Sequence, residues 1–408
     1  MHYVTKYIIR IVLKIIIIFI KQKNIIILSS FNSMSYRTNT RYLYEYLSKY
    51  LGKYDIYYVT ESKKIKAYLD KSNLKYISKN NIFKYIYISA SAKVVINSGD
   101  AFHNPLNITN AKNILKICTM HGNSPKTRLP RNIRAKESGY HKFDYICFNN
   151  KYTAKAIGVK NFQLDKNKVL AFGSPQCDRF YDNEYLQRRM KEKNWSKSMN
   201  NNFDESSKTV LYTPTWRPYN YPNPLVKLKG FTWIKFDEFL AENKIFLYYS
   251  YHTVKNGHFA ENFNSQETYE GSNIRFIKDG GAYAFIDAED ENKFALYDTN
   301  DFMCEVDCLI NDYSNAHTDF SILRKPQLYV MPDYLDYQKT QGFLENYDHF
   351  IAGKQVNSFD DLCKSILLAV RNPLYMDEYK IMEDNLVEKY SSHNSNSSSQ
   401  YLSFLEKI

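Results

Sequence analysis

Apolar runs short enough to be strands recur along this chain, separated by stretches with helical apolar spacing. Residues 24–29 (NIIILS) form the first run, apolar at consecutive positions, as a strand covered on both faces requires. Similar runs lie at 54–59, 92–97, 114–120, 143–148 and 169–172, with helical stretches at 42–51, 63–70, 80–91 and 151–157. That alternation predicts a doubly wound parallel sheet. A polar, Asn- and Ser-rich span at 195–208 lacks periodicity, and the pattern resumes at 209–213, 244–251, 273–277, 304–310 and 327–330. At 408 residues the chain is too long for one ordinary core. The expected organisation is α/β throughout: a domain over 24–195, a linker over 196–208 and a second domain over 209–390. A polar tail with a short apolar helix at 401–408 occupies 391–408, and acidic 279–300 reads as an inserted loop. No internal repeat is present.

Residues 1–23 have a different character. An apolar run at 8–20 is interrupted by Arg10 and Lys14 and closed by Lys21 and Lys23. It is too short and too charged for a membrane span, and no small-residue cleavage site follows it. A helix lying in the membrane interface, its basic side chains reaching anionic headgroups, fits the pattern; a helix packed on the first domain is the alternative. The formal net charge of +12 also points to an anionic partner, whether membrane, phosphorylated substrate or nucleic acid. No basic arm or zinc-knuckle spacing accompanies it, which argues against nucleic acid. Cys118, Cys147, Cys177, Cys304, Cys308 and Cys363 include no CxxC pair and mostly sit in apolar runs. They read as buried thiols of a reducing compartment, and no metal site is expected.

Ligands of open α/β sheets sit beyond the carboxyl ends of the strands, and four polar clusters occupy such positions here. Asn311, Asp312, Tyr313, Ser314 and Asn315 follow an apolar run, with Asp319 and Pro326 beyond. Residues 316–323 then have helical spacing, Phe320 and Leu323 facing inward. Strand, polar turn and helix start would set N–H groups and hydroxyls before an anion; an ordinary capped turn is the plainer reading. His121 and Gly122 end the run at 114–120, with Lys126 and Arg128 close behind. An imidazole there either takes a proton from an attacking hydroxyl near neutral pH or satisfies the turn. Thr215 and Arg217, past 209–213, offer a hydroxyl and a guanidinium fork to phosphate oxygens, or flank a Trp216 packing anchor. His252 takes the equivalent place after 244–251, whereas His258 has a looser, polar context. Gly173, Pro175 and Asp178 form a turn that reads as structural, with Asp178 capping the helix that follows.

Taken together, these clusters resemble the CDP-glycerol glycerophosphotransferase family of teichoic acid primases and polymerases, over residues 24–385. The family's His-Gly-Thr-Pro-Leu-Lys element is similar to His121 through Lys126, where Asn123, Ser124 and Pro125 form a shifted variant. Its Pro-Thr-Trp-Arg matches Pro214 to Arg217 unchanged. Its Gly-x-Pro-Arg-x-Asp turn matches Gly173, Pro175 and Asp178 with Gln176 in place of Arg, and its His-Pro matches His252 with Thr253 in place of Pro. Its Thr-Asp-Tyr-Ser-Ser matches Asn311 to Asn315, followed by Asp319, Pro326, the region 333–337, Gly342 and Phe343, with Gln341 where Arg is usual.

The resemblance implies a GT-B-like arrangement of two Rossmann-like domains facing a cleft, the first on the acceptor side and the second holding the donor. It implies CDP-glycerol as donor and no metal or other cofactor. The acceptor is a hydroxyl of a lipid-linked saccharide or growing polymer at the cytoplasmic membrane face, and CMP is released. By the same resemblance His121 is the base, and His252, Arg217 and Thr215 hold the diphosphate. Ser314 and the helix behind it stabilise developing charge, with Gly122, Lys126, Asp312, Asn315 and Asp319 completing the substrate-binding set. The departures leave open a CDP-ribitol phosphotransferase, and a GT-B glycosyltransferase of capsule synthesis using a sugar nucleotide is the nearest rival. A non-catalytic basic protein that binds a membrane or nucleic acid is the reading from another class.

Overall fold

The computed structural model describes residues 13, 16–30, 33, 35–99, 111–123, 125–126, 139–200, 202–215, 217, 223–250, 271–277 and 298–408. They form two compact units. One comprises Met1–Asn123, Pro130–Asp178 and Ser392–Ile408; the other comprises Ser124–Leu129 and Arg179–Ser391.

The first unit is built on β1 (Lys23–Ser29), α1 (Thr38–Tyr50), β2 (Asp55–Val59), α2 (Lys63–Lys71), β3 (Tyr76–Ile77), α3 (Ile82–Ser91), β4 (Ala92–Asn97), β5 (Leu115–Cys118), β6 (Tyr145–Cys147) and β7 (Val169–Leu170). The strands lie in the order β3-β2-β1-β4-β5-β6-β7 and every pairing is parallel. Ile26, Ile27 and Leu28 are fully buried because helices cover both faces, which is why β1 reads as an unbroken apolar run. The order reverses direction between β1 and β4, and that switch point opens a crevice beyond the strand ends. Leu13 and Ile17, from the expected interfacial segment, are buried against Tyr85 and Ile88 of α3, while Ile18 and Phe19 remain exposed.

The second unit contains α4 (Asn183–Glu192), α5 (Asn194–Met199), β8 (Lys208–Tyr212), α6 (Trp233–Glu242), β9 (Ile245–Ser250), β10 (Ile274–Ile277), α7 (Thr299–Glu305), β11 (Cys308–Asn311), α8 (Ala316–Phe320), β12 (Gln327–Tyr329), α9 (Tyr334–Thr340), β13 (Lys354–Gln355), α10 (Phe359–Arg371) and α11 (Lys380–Tyr390). Its parallel sheet runs β10-β9-β8-β11-β12-β13, the same wound topology, with the switch point between β8 and β11. Within the span expected to link the domains, α5 ends and Asn200 donates from Nδ2 to the Tyr248 hydroxyl at 2.9 Å. Cys304 and Glu305, expected in a strand, instead end α7. A capping box between Asp298 and Asp301 starts that helix, and half-buried Lys325 donates to the carbonyls of Met303, Cys304 and Val306 at its end.

The tail also differs from expectation. The helix α12 (Ser397–Glu406) begins inside the polar Ser/Asn tract and belongs to the first unit, with Tyr401 and Leu405 fully buried. Asp178 caps this helix, accepting from the backbone N–H of Ser397 and Ser398 at 3.0 and 2.8 Å; the helix that follows Asp178 in the chain is capped by Asp182. Gly173 has φ of +88°, and a Cβ there would lie 2.2 Å from Ser397 Oγ. The glycine turn is therefore a socket for the C-terminal helix.

Glu383 on α11 is buried, accepts from Arg324 at 3.0 Å, and its Oε1 has no hydrogen-bond partner among the described residues. Burial pushes its carboxyl up to about 7, against the opposing pull of Arg324. The folded protein thus holds a proton that the unfolded chain releases near pH 4.5, so this group's stabilising contribution is present at low pH and lost as pH rises through about 7. Urea midpoints measured from pH 5 to 8.5 should fall through neutrality, and Glu383→Gln should flatten that slope.

Candidate functional site

In the second unit two polar turns flank the switch point. Thr213 to Arg217 leave β8, and Asp312 to Asn315 leave β11, its neighbour in the sheet. Asp312 is fully buried and joins them: its carboxylate accepts from Thr215 N at 3.0 Å, Thr215 Oγ at 2.6 Å and Tyr313 N at 2.5 Å. Arg217, 2% exposed, donates from Nη1 to Asp312 at 2.5 Å and forms a two-pronged pair with Asp333, Nε at 2.7 Å and Nη2 at 2.9 Å. Its plane also lies over Tyr313 and Tyr337, which stack at 3.8 Å. Burial alone would lower the Arg217 pKa, but the two carboxylates override it and hold the guanidinium charged, well above its ordinary value.

This geometry reassigns Arg217 and Asp312. Both spend their polar atoms on each other and on the turns, so Arg217 sets the turn's shape rather than presenting its fork to phosphate. Thr215, Ser314 and Asn315 are half-exposed at the same place. Ser314 Oγ accepts from Ala316 N at 3.3 Å, a bond that leaves its own proton to donate. Lys126 joins this cluster: the short segment Ser124–Leu129 belongs to the second unit, where Lys126 pairs with Phe343 and its ammonium donates to the Tyr313 carbonyl at 2.8 Å. Asp319 is buried on α8. Of the two side chains expected to face inward, Phe320 is fully buried but Leu323 is only half-buried, and Ile322, just past α8, is buried instead. His317, in the same helix, is fully buried, and burial followed by the nearby Lys126 charge lowers its pKa to about 3. It is a neutral core residue.

In the first unit His121 follows β5. Its Nδ1 lies 3.2 Å from the Ser98 carbonyl oxygen, which can only accept, so Nδ1 carries the proton and a neutral ring keeps its lone pair on Nε2. The turn is bent by positive φ at Met120 (53°) and Gly122 (119°). Asn39 of α1 holds it there: Nδ2 donates to the carbonyls of Thr119 and Met120 at 3.1 and 3.2 Å. Its Oδ1 accepts from Ser174 Oγ at 2.8 Å and Gln176 N at 3.2 Å, tying the histidine turn to the glycine turn.

Sequence reasoning missed Asn39, Ser98 and Asp333 as contributors. Asn39 lay in a polar stretch before a helix and Ser98 at a strand end, signals that mark a loop without naming its partners. Asp333 was noted only as part of a matched region. His252, Trp216, Ser124 and Arg128 lie outside the described residues.

Removing one partner of the buried cluster leaves an uncompensated charge. Asp333→Ala should destabilise the protein by about 3–5 kcal/mol. Chemical denaturation checks this, and a loss below about 1 kcal/mol would contradict the assigned packing.

The model of the family described as CDP-Glycerol:Poly(glycerophosphate) glycerophosphotransferase matches residues 11–403. The teichoic acid glycerol-phosphate primase of Bacillus subtilis (strain 168) is 25% identical over 338 residues, 80% of this chain and 77% of that protein. The teichoic acid poly(glycerol phosphate) polymerase of the same strain is 26% identical over 366 residues, 85% of this chain but only 44% of the longer polymerase. Among solved structures, the wall teichoic acid polymerase TagF aligns with a TM-score of 0.72 at 20% identity, covering 99% of this chain and 94% of that one. A variant of TagF soaked with CDPG aligns at 0.71 and 21% identity, over 98% and 92% of the two chains. At such identity the structural likeness establishes the GT-B-like fold. With the family's pattern extending across nearly all of the sequence, the chain belongs to the CDP-glycerol:poly(glycerophosphate) glycerophosphotransferases and is an enzyme of the transferase class.

Proposed function

We propose that the protein moves glycerol phosphate from CDP-glycerol onto a hydroxyl of a lipid-linked or growing teichoic-acid-type polymer. The observation that carries this reading is the chemistry gathered at the second unit's switch point: the Ser314 hydroxyl with its proton free to donate and the Lys126 ammonium, on turns fixed by Arg217 and by the Thr215 to Asp312 bond. His121 Nε2 takes the proton of the acceptor hydroxyl, and the oxygen attacks the phosphorus that bears glycerol. The bond from that phosphorus to the CMP oxygen breaks, and CMP leaves with the electron pair. Such a transfer asks mainly for positioning and for stabilisation of negative charge. Lys126 and Ser314 supply the second, while Arg217, Asp312 and Asp333 supply the first. His252, by its place after β9, is the proposed further contact to the diphosphate. The names of the relatives and the CDPG soak of TagF favour glycerol over ribitol as the alditol.

The same reading puts the protein at a membrane surface. Ile18, Phe19 and Phe83 are 74%, 83% and 84% exposed, and Lys21 and Lys23 follow the first two in the chain. Aromatic and apolar tips among lysines suit an anionic headgroup region. No helix among the described residues is long and apolar enough to cross a membrane.

Purified protein incubated with a polymer acceptor and CDP-glycerol, CDP-ribitol or UDP-sugars should release CMP from CDP-glycerol. His121→Gln should lower kcat by about 10²–10⁴-fold while the unfolding midpoint stays put. CMP release from neither CDP-alditol would overturn the proposed activity; an undiminished His121→Gln rate would remove the assigned base.

A further inference from the structure

We propose that a lysine-lined groove along the β3 edge of the first sheet holds the phosphodiester tract of the acceptor chain. The proposal rests on the transfer reading above, because it concerns the acceptor of that reaction.

The charge is local and one-sided. Between residues 63 and 84 the chain carries seven lysines and a single acid, Asp70. The groove, about 650 Å³, is lined by Lys66, Lys75 and Lys84 against one acid, Asp70, which accepts from the Tyr76 hydroxyl at 3.3 Å, with Asn80 and Asn81 beside them. Lys66 Nζ donates to Ser78 Oγ at 2.7 Å and stands 4.0 Å from Glu61; Lys75 pairs with Asp55 at an exposed position. The Lys75–Asp55 pair is exposed and therefore weak, so a better-matched anion displaces it at little cost. Helix stability does not ask for this charge. Lys63 and Lys64 open α2 and Lys84 falls in the first turn of α3, where the helix dipole disfavours cations, and neither first turn contains an acid.

The position of the groove fits a chain-like anion. It extends to the Ser78 to Asn81 turn at the carboxyl end of β3. Because all strands are parallel, that end lies on the same edge of the sheet as the His121 turn after β5. Four strand steps separate β3 from β5, roughly 19 Å at about 4.8 Å each. One glycerol phosphate cannot reach both places, whereas a tract of several repeats can. The asparagine amides and tyrosine hydroxyl suit the hydroxyls of an alditol, and the lysines its phosphodiesters. The groove therefore makes acceptor affinity depend on acceptor length.

The test compares wild-type protein with the double variant Lys75→Gln, Lys84→Gln, both exposed positions outside the assigned catalytic and donor-binding residues. Acceptors carrying one glycerol phosphate and an oligomer of about ten would be assayed for KM and kcat, and oligomer binding measured by calorimetry without CDP-glycerol. The expected result is an oligomer KM and Kd raised about tenfold, with kcat and the single-unit KM changed less than twofold. High salt should abolish the wild-type preference for the long acceptor. An unchanged oligomer Kd, or equal losses on short and long acceptors, overturns the proposal. So does a variant that loses binding to phosphatidylglycerol vesicles while keeping oligomer binding, which would make the groove a lipid site. Absence of wild-type CMP release overturns the transfer reading instead, and the calorimetric arm still decides the groove.

Discussion

One guanidinium holds together the working edge of the second unit. Arg217 comes from the turn after β8, Asp312 from the turn after β11 and Asp333 from the chain beyond β12, so three strand ends converge on a single buried cation. Desolvating three charges costs several kcal/mol each, and only near-ideal geometry and full hydrogen bonding offset it. Those conditions are met here: the fork matches the Asp333 carboxylate, and Asp312 gathers N–H and O–H donors besides. The consequence is rigidity where a transferase needs it. Thr215 and Ser314 inherit their positions from side chains that need not touch the substrate.

The first unit solves the same problem with a neutral group. Asn39 has both a donor and an acceptor face, and it spends them on the turns that follow β5 and β7. An amide costs far less to bury than an ion, so the histidine turn is held without a counter-charge that would perturb the imidazole. Ser98 completes the arrangement by fixing which ring nitrogen carries the proton.

Much of this architecture was legible in the sequence because parallel strands covered on both faces must be apolar at nearly every position. The runs at 24–29, 92–97 and 209–213 became β1, β4 and β8 with boundaries shifted by a residue or less. The edge strands β3 and β13 escaped notice, being two residues long and partly exposed, with too little apolar content to register. The serine tract at the start of α12 read as tail because its hydroxyls look solvated, whereas Ser391, Ser392, Ser397 and Ser398 are buried among hydrogen-bond partners. Residue types at the site were readable, but not who pairs with whom. Arg217 looks like a phosphate ligand until Asp333, 116 positions later, is seen to occupy its fork.

The socket formed by Gly173 and Asp178 ties the order of synthesis to the order of folding. The first unit's sheet is complete by β7, yet Phe172 packs on Tyr401 and Phe404 of α12, and Tyr145 on Phe404. Those rings are translated more than two hundred residues later, on the order of tens of seconds at ordinary elongation rates. Until then the ribosome-bound unit presents Phe172 and its neighbours to solvent as an open apolar patch. A nascent chain of this design has a built-in interval during which a chaperone has something to bind, and the arrival of α12 ends it.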